Sequence, residues 1–172
     1  MKNIIQSNFK TYYKVIASNT AWYWQTDHIS KYKHNRPYLS DVEINLDKVN
    51  PTSDLVGALE HADIVFLVIP AAFVEDALDD LSAKHFKGKI VVSATKGMIP
   101  DTKLLPTEYM EKEYNVPSEN ICVVVGPCHA EEVALERQSY LTIGGENLGN
   151  TQIISDLLTC RFVKCSVIDD VV

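Results

Sequence analysis

The stretch Ile121-Cys122-Val123-Val124-Val125-Gly126-Pro127-Cys128-His129-Ala130-Glu131-Glu132-Val133-Ala134 decides the fold. Ile121–Val125 sets four β-branched residues and a cysteine in a row, too short for a buried helix, and predicts a strand buried on both faces. Gly126 and Pro127 stop that strand and turn the chain. Ala130, Val133 and Ala134 then fall at i, i+3, i+4, with Glu131 and Glu132 in the first turn, where carboxylates suit the positive end of a helix. A strand, a tight turn and a helix start in succession bring backbone N–H groups to the end of a sheet strand, where a ligand can meet them. The same letters also describe an ordinary turn.

Working outward, the chain alternates. Ile5, Phe9, Tyr12 and Ile16 recur at helical spacing and predict an amphipathic helix. Thr20-Ala21-Trp22-Tyr23-Trp24 reads as a short aromatic strand. Ser53 is placed to cap a helix carrying Leu55, Leu59 and Ala62. Ile64–Ile69 is an apolar strand, after which Pro70 opens a helix with Val74, Ala77, Leu78 and Leu81 on one face. Lys89–Thr95 is a strand ending in Lys96-Gly97, and Pro106–Tyr114 a helix. Beyond the opening stretch come a strand at Leu141–Ile143 stopped by Gly144-Gly145, a helix at Thr151–Leu158 and a strand at Phe162–Val167. Buried strands alternating with amphipathic helices predict a parallel α/β sheet covered on both faces. In such sheets ligands collect beyond the carboxyl ends of the strands, where Pro70, Lys96-Gly97 and Gly126-Pro127 would stand together. Lys96 brings a mobile cation to that rim and suggests an anion site, although lysines also end strands without consequence.

The chain's 172 residues, 46% of them hydrophobic and 23% charged, suit one ordinary globular domain. Ile64–Val74, the longest nearly apolar run, is too short to cross a bilayer and is interrupted by Pro70. With no signal core behind Met1, the expected location is the cytoplasm. The net charge of −7 argues against general nucleic-acid binding. The charge is uneven: Lys2, Lys10, Lys14, Lys31, Lys33 and Arg36 face Asp27 alone up to residue 36. With Tyr12, Tyr13, Trp22, Tyr23 and Trp24, that arm could stack on single-stranded nucleic acid; a basic helix docked on an acidic body is the preferred reading. Cys122, Cys128, Cys160 and Cys165 form no C-x-x-C pair and no metal-ligand spacing with histidine, so no metal is expected and the thiols read as free. There is no internal repeat and no low-complexity tract.

Asn35-Arg36-Pro37-Tyr38-Leu39, Val68-Ile69-Pro70-Ala71, Ala94-Thr95-Lys96-Gly97 and Gly126-Pro127-Cys128-His129-Ala130-Glu131-Glu132, in that order, resemble NAD(P)-dependent glycerol-3-phosphate dehydrogenase. The resemblance runs from about Trp22 to the end. It implies the nucleotide-binding domain of an oxidoreductase that moves hydride between a nicotinamide and C2 of glycerol 3-phosphate or dihydroxyacetone phosphate, supplying glycerophospholipid precursors. It further implies that Lys96 lies near both substrate and nicotinamide, that Gly126 and Cys128 form the substrate-side turn, and that Ala130 makes a backbone contact to the cofactor. Phe73 matches an aromatic beside the cofactor, with core packing as the alternative. Trp24 follows the strand that should carry the adenosine and would cover adenine or ribose, unless it is plain core.

The departures from the family matter as much. Cys128 stands where the family usually has Ser or Thr, and a thiol is the poorer hydrogen-bond donor. Trp24 and Gln25 replace the arginine often used for a 2′-phosphate, which leans the cofactor toward NAD over NADP. No glycine occurs before Gly57, so the family's Gly-rich phosphate turn cannot be written in. The expectation is therefore a Rossmann-like sheet incomplete at its first, central strand, with a divergent helix over 1–19 and a partial dinucleotide-binding domain over 20–172. The family's helical domain, with its catalytic lysine, would begin about where Val172 stands, so no catalytic residue is assigned. A chain so composed should have little activity alone. The alternatives are a non-catalytic interaction module that kept the fold and, more distantly, another two-domain dehydrogenase such as ketopantoate reductase. The oligomeric state is open, a homodimer among the options.

Overall fold

The computed structural model describes residues 14–16, 22–35, 39 and 41–170. A six-stranded sheet runs in sequential order: β1 (Lys14–Ile16), β2 (Ile64–Leu67), β3 (Ile90–Ser93), β4 (Ile121–Val125), β5 (Ser139–Gly144) and β6 (Val163–Ile168). The helices are α1 (Trp22–Tyr32), α2 (Leu55–Glu60), α3 (Val74–Leu78), α4 (Pro106–Tyr114), α5 (Ala130–Ala134) and α6 (Leu148–Leu158). No helix among the described residues is long and apolar enough to cross a membrane.

Strand alternation builds two cores. Val65 and Leu67 of β2, Val91 of β3 and Ile121 of β4 face one side, where they bury Leu59 of α2, Val74 and Leu78 of α3, and Met110 and Tyr114 of α4. Ile64, Val92 and Cys122 face the other side, against Ile143 of β5 and Ile154 of α6. Successive side chains point to opposite faces, so a continuous apolar run is what a sheet covered twice requires. Each fully buried aliphatic or aromatic side chain contributes about 1.5–3 kcal/mol.

Local chemistry sets the helix ends. Pro106 occupies the first turn of α4, and the Glu108 carboxylate accepts the Leu105 N–H at 2.8 Å. Asn115 closes that helix in the left-handed region, φ 51°. Asn147 caps α6 by accepting from Gly149 and Asn150. The cap of α2 is Asp54, not the expected Ser53: its Oδ1 accepts the Gly57 N–H at 2.9 Å. Pro70 leads into a 3-10 turn, Ala71–Phe73, before α3.

Three further expectations are corrected. Trp22–Trp24 is not a strand but the first turn of α1. The helix runs on to Tyr32, local β-propensity yielding to context, and His28 and Tyr32 stack one turn apart at 4.6 Å. Lys14–Ile16, read as the end of a helix, pairs in parallel with Val65–Leu67. It gives β2 the neighbour that the missing-strand reading would deny it, and an unpaired β2 edge would otherwise leave a row of backbone groups unbonded. The remaining helix residues, Ile5, Phe9 and Tyr12, lie outside the described residues.

Third, the sheet is not wholly parallel. β1–β4 are parallel, but β5 is antiparallel to β4 and β6 parallel to β5. Connection length goes with both. The link between β4 and β5, residues 126–138, is the shortest between successive strands, and the chain re-enters the sheet from the end it has just left. The longer link between β5 and β6, residues 145–162, contains α6, whose eleven residues rise about 16 Å and carry the chain back for a parallel β6.

Candidate functional site

Register places three turns on one rim. Leu67, Ser93 and Val123 form a single row across β2, β3 and β4. Pro70, Lys96 and Gly126 each stand three residues past that row in strands of one direction. The expected gathering at the carboxyl ends of the strands is thus present, and the rim is pinned. The Ala94 N–H and the Thr95 hydroxyl both donate to the Leu67 carbonyl, at 2.9 and 3.3 Å. Lys96 follows directly, exposed and making no ion pair among the described residues. The positive φ of Gly97, 84°, turns the chain away behind it. A lysine held at a fixed backbone position with a free ammonium can reach an anion over several ångströms.

Gly126 ends β4 with φ 131°. A Cβ added there would lie 2.5 Å from the Tyr140 carbonyl oxygen and 3.2 Å from Leu141 Cα. The fold itself therefore demands glycine here, whatever ligand approaches. Cys128 is half-buried in the following turn, and Ala130 opens α5 behind His129. The first N–H groups of such a turn have no partner within their own helix. Phe73 is 40% exposed, and Val68, Met98 and Val125, next to the turns at Pro70, Lys96 and Gly126 in the chain, are exposed as well.

Trp24 is the predicted site residue that does not join this rim by the expected route, because α1 stands where an adenosine-carrying strand was expected. In the matched stretch Asn35–Leu39, the Leu39 N–H donates to the Asn35 carbonyl at 2.7 Å; Arg36, Pro37 and Tyr38 lie outside the described residues. Sequence reasoning missed what the reversal of β5 brings in. The starts of β5 and β6 and the α6–β6 turn lie at the same end as the carboxyl ends of β2–β4, adding Ser139, Cys160 and Arg161 to the neighbourhood. Nothing in their spacing signals this.

A dinucleotide fits the rim at one end only. Phe73, Val68 and Met98 offer apolar surface of the kind a nicotinamide ring covers. A pyrophosphate needs close backbone approach, and the sequence before Gly57 has no glycine to permit it.

Comparison with known proteins identifies the family. The family model described as NAD-dependent glycerol-3-phosphate dehydrogenase N-terminus matches residues 4–151. A glycerol-3-phosphate dehydrogenase (NAD(P)+) of Bacillus velezensis is 33% identical over 134 residues, 76% of this chain and 38% of that protein. One from Enterococcus faecalis is 31% identical over 152 residues, 86% of this chain and 44% of that protein. The solved glycerol-3-phosphate dehydrogenase of Coxiella burnetii shares the fold, with a TM-score of 0.76 at 18% identity over 91% of this chain and 46% of that one. The chain spans less than half the length of these relatives.

Proposed function

Because the chain belongs to the family of the NAD-dependent glycerol-3-phosphate dehydrogenase N-terminus, we propose that it forms the nucleotide-side wall of an oxidoreductase interconverting sn-glycerol 3-phosphate and dihydroxyacetone phosphate. The observation that carries this reading is the shared row behind Lys96 and Gly126. Lys96 attracts the substrate's negative charge and holds the reacting carbon near the rim. The turn Gly126–Ala130 supplies backbone N–H donors, and Cys128 a thiol, to the same small molecule. Ala130 and Phe73 border the cofactor, and Trp24 is assigned to its adenosine end. When bound, the nicotinamide, of NAD or NADP with a lean to NAD, exchanges hydride with C2 of the substrate. The residues named here bind and orient; none of them is given the proton transfer. The product serves phospholipid synthesis in the cytoplasm, without a nucleic-acid partner, and a homodimer is the natural assembly to test.

The test is a titration of the isotopically labelled 172-residue chain with glycerol 3-phosphate, followed by amide chemical shifts. Saturable shifts at Lys96, Gly97, Gly126 and Cys128 are expected; saturable shifts confined to another part of the molecule refute the site. Mixed with NADH and dihydroxyacetone phosphate, the chain alone should leave the NADH absorbance nearly unchanged. A second reading, a non-catalytic module that kept the fold, is favoured by the lack of any glycine before Gly57. Tight NAD+ binding in a calorimeter would dismiss it.

A further inference from the structure

Three of the four cysteines converge beside the Gly126 turn. Cys165 lies on β6 in register with Leu141, on the face that packs under α6 with Ile143 and Ile154. Gly126 presses its turn against Leu141, so Gly126, Leu141 and Cys165 make one row across three strands, and Cys128 follows two residues after Gly126. Cys160 sits just past α6, folded back on β6 by the hydrogen bond from its N–H to the Val163 carbonyl at 2.9 Å. All three are half-buried, whereas Cys122 has no exposed surface. Burial raises the Cys165 thiol above the usual range, and Cys160 and Cys128 are near enough to raise it further; a hydrogen bond with Thr159 works the other way. On the same face, two residues before Leu141, the Ser139 hydroxyl is buried with no hydrogen-bond partner. An orphaned hydroxyl marks a corner that the packing does not seal with polar partners. Among the described residues no cluster of His, Cys, Asp or Glu is arranged to hold a metal ion.

We propose that Cys128, Cys160 and Cys165 form an oxidant-sensitive site in which a peroxide joins Cys165 to one of its two neighbours as a disulfide. The thiol of Cys128 or Cys160 attacks the peroxide O–O bond, giving a sulfenic acid and one water. The Cys165 sulfur then attacks the sulfenic sulfur, its proton leaving with the displaced hydroxyl as a second water. The two sulfurs together lose two electrons, and the peroxide gains them. A half-buried, protonated Cys165 thiol meets peroxide slowly, which leaves the first step to Cys128 or Cys160. The bond would fasten the α6–β6 corner or, through Cys128, the rim turn itself. None of this depends on the dehydrogenase reading.

The test treats the fully reduced 172-residue chain with hydrogen peroxide, blocks remaining thiols and maps tryptic peptides without reduction. Cys160 and Cys165 fall in separate peptides, 138–161 and 165–172, so a link through Cys165 is read directly as a mass two hydrogens below the sum. The expected product is intramolecular, contains Cys165 and leaves Cys122 free to alkylate only after unfolding. Cys165→Ala, checked for its fold by circular dichroism, should accumulate a sulfenic acid trapped by dimedone on Cys128 or Cys160, where the unaltered chain gives the crosslink. Should that variant misfold, Cys165→Ser gives the same readout. A disulfide lacking Cys165, a link only between molecules, or equal dimedone labelling of variant and parent overturns the proposal.

Discussion

Replacing Gly126 by alanine isolates the contact that fixes the rim. At φ 131° any L side chain is strained, at a cost of about 1–3 kcal/mol. The new methyl would also sit 2.5 Å from the Tyr140 carbonyl oxygen. That atom belongs to the β5 backbone and cannot swing aside as a flexible side chain could. Relieving the overlap means lifting the start of β5 from β4, comparable to overpacking at about 1–3 kcal/mol. Gly126→Ala should therefore cost about 2–6 kcal/mol in total. Gly97→Ala is the control: its φ of 84° is also positive, but nothing lies within 4 Å of the added carbon. It should cost only the backbone strain, about 1–2 kcal/mol. Urea denaturation of both variants measures the difference, and a 3 kcal/mol loss would also lower the melting temperature by about 6–12 °C for a chain of this size. Equal losses for the two variants would refute the reasoning, because the β5 contact would then contribute nothing.

Other outcomes follow from the same coordinates. Burial pushes the Cys122 thiol up to about 11 from a usual 9. The unfolded chain thus loses its proton first, and the stability that rests on the neutral thiol, present in full below pH 9, drains away as pH rises toward 11. The loss is of order 2 kcal/mol, and Cys122→Ala should lack it when urea midpoints are compared at pH 8 and pH 11. Tyr114→Phe removes the 2.8 Å hydrogen bond to the Leu78 carbonyl while keeping the edge-on packing against Phe86. It should cost about 1–2 kcal/mol by urea denaturation. Lys96→Ala should leave stability within about 0.5 kcal/mol but abolish the amide shifts caused by glycerol 3-phosphate; unchanged binding would remove Lys96 from the site.

Legibility followed the range of the forces involved. Pro106–Tyr114 and Ile121–Val125 are bounded in the structure where the letters bound them, because proline at a helix start and an unbroken β-branched run act over a few residues. Asp54 displaced Ser53 as a cap because adjacent cap-forming side chains compete and only backbone geometry chooses between them. Trp22–Trp24 misled because β-propensity yields to context, here a helix that extends to Tyr32. The reversal of β5 was invisible. It goes with the short link between β4 and β5, residues 126–138, in which α5 stops after five residues and Glu136 adopts φ 61° although no glycine announces the end. The rim inherited that blindness: Lys96 and Gly126 could be paired from strand logic, but the approach of Tyr140 to Gly126 and the nearness of Cys128 to Cys165 depend on the reversal.

A sheet whose strands lie in sequence order has a consequence for how the chain assembles. From β2 onward each strand docks on the one made just before it, across connections of 13 to 27 residues, so pairing can spread outward without waiting for a distant partner. The exception is the ladder between β1 and β2, whose closure must span residues 17–63. Doubling a loop adds only about 0.6 kcal/mol to its entropic cost, yet the three residues of β1 return few bonds against it. In hydrogen-exchange experiments the amides of Lys14–Ile16 should therefore be the first of the sheet to open and those of β3 among the last.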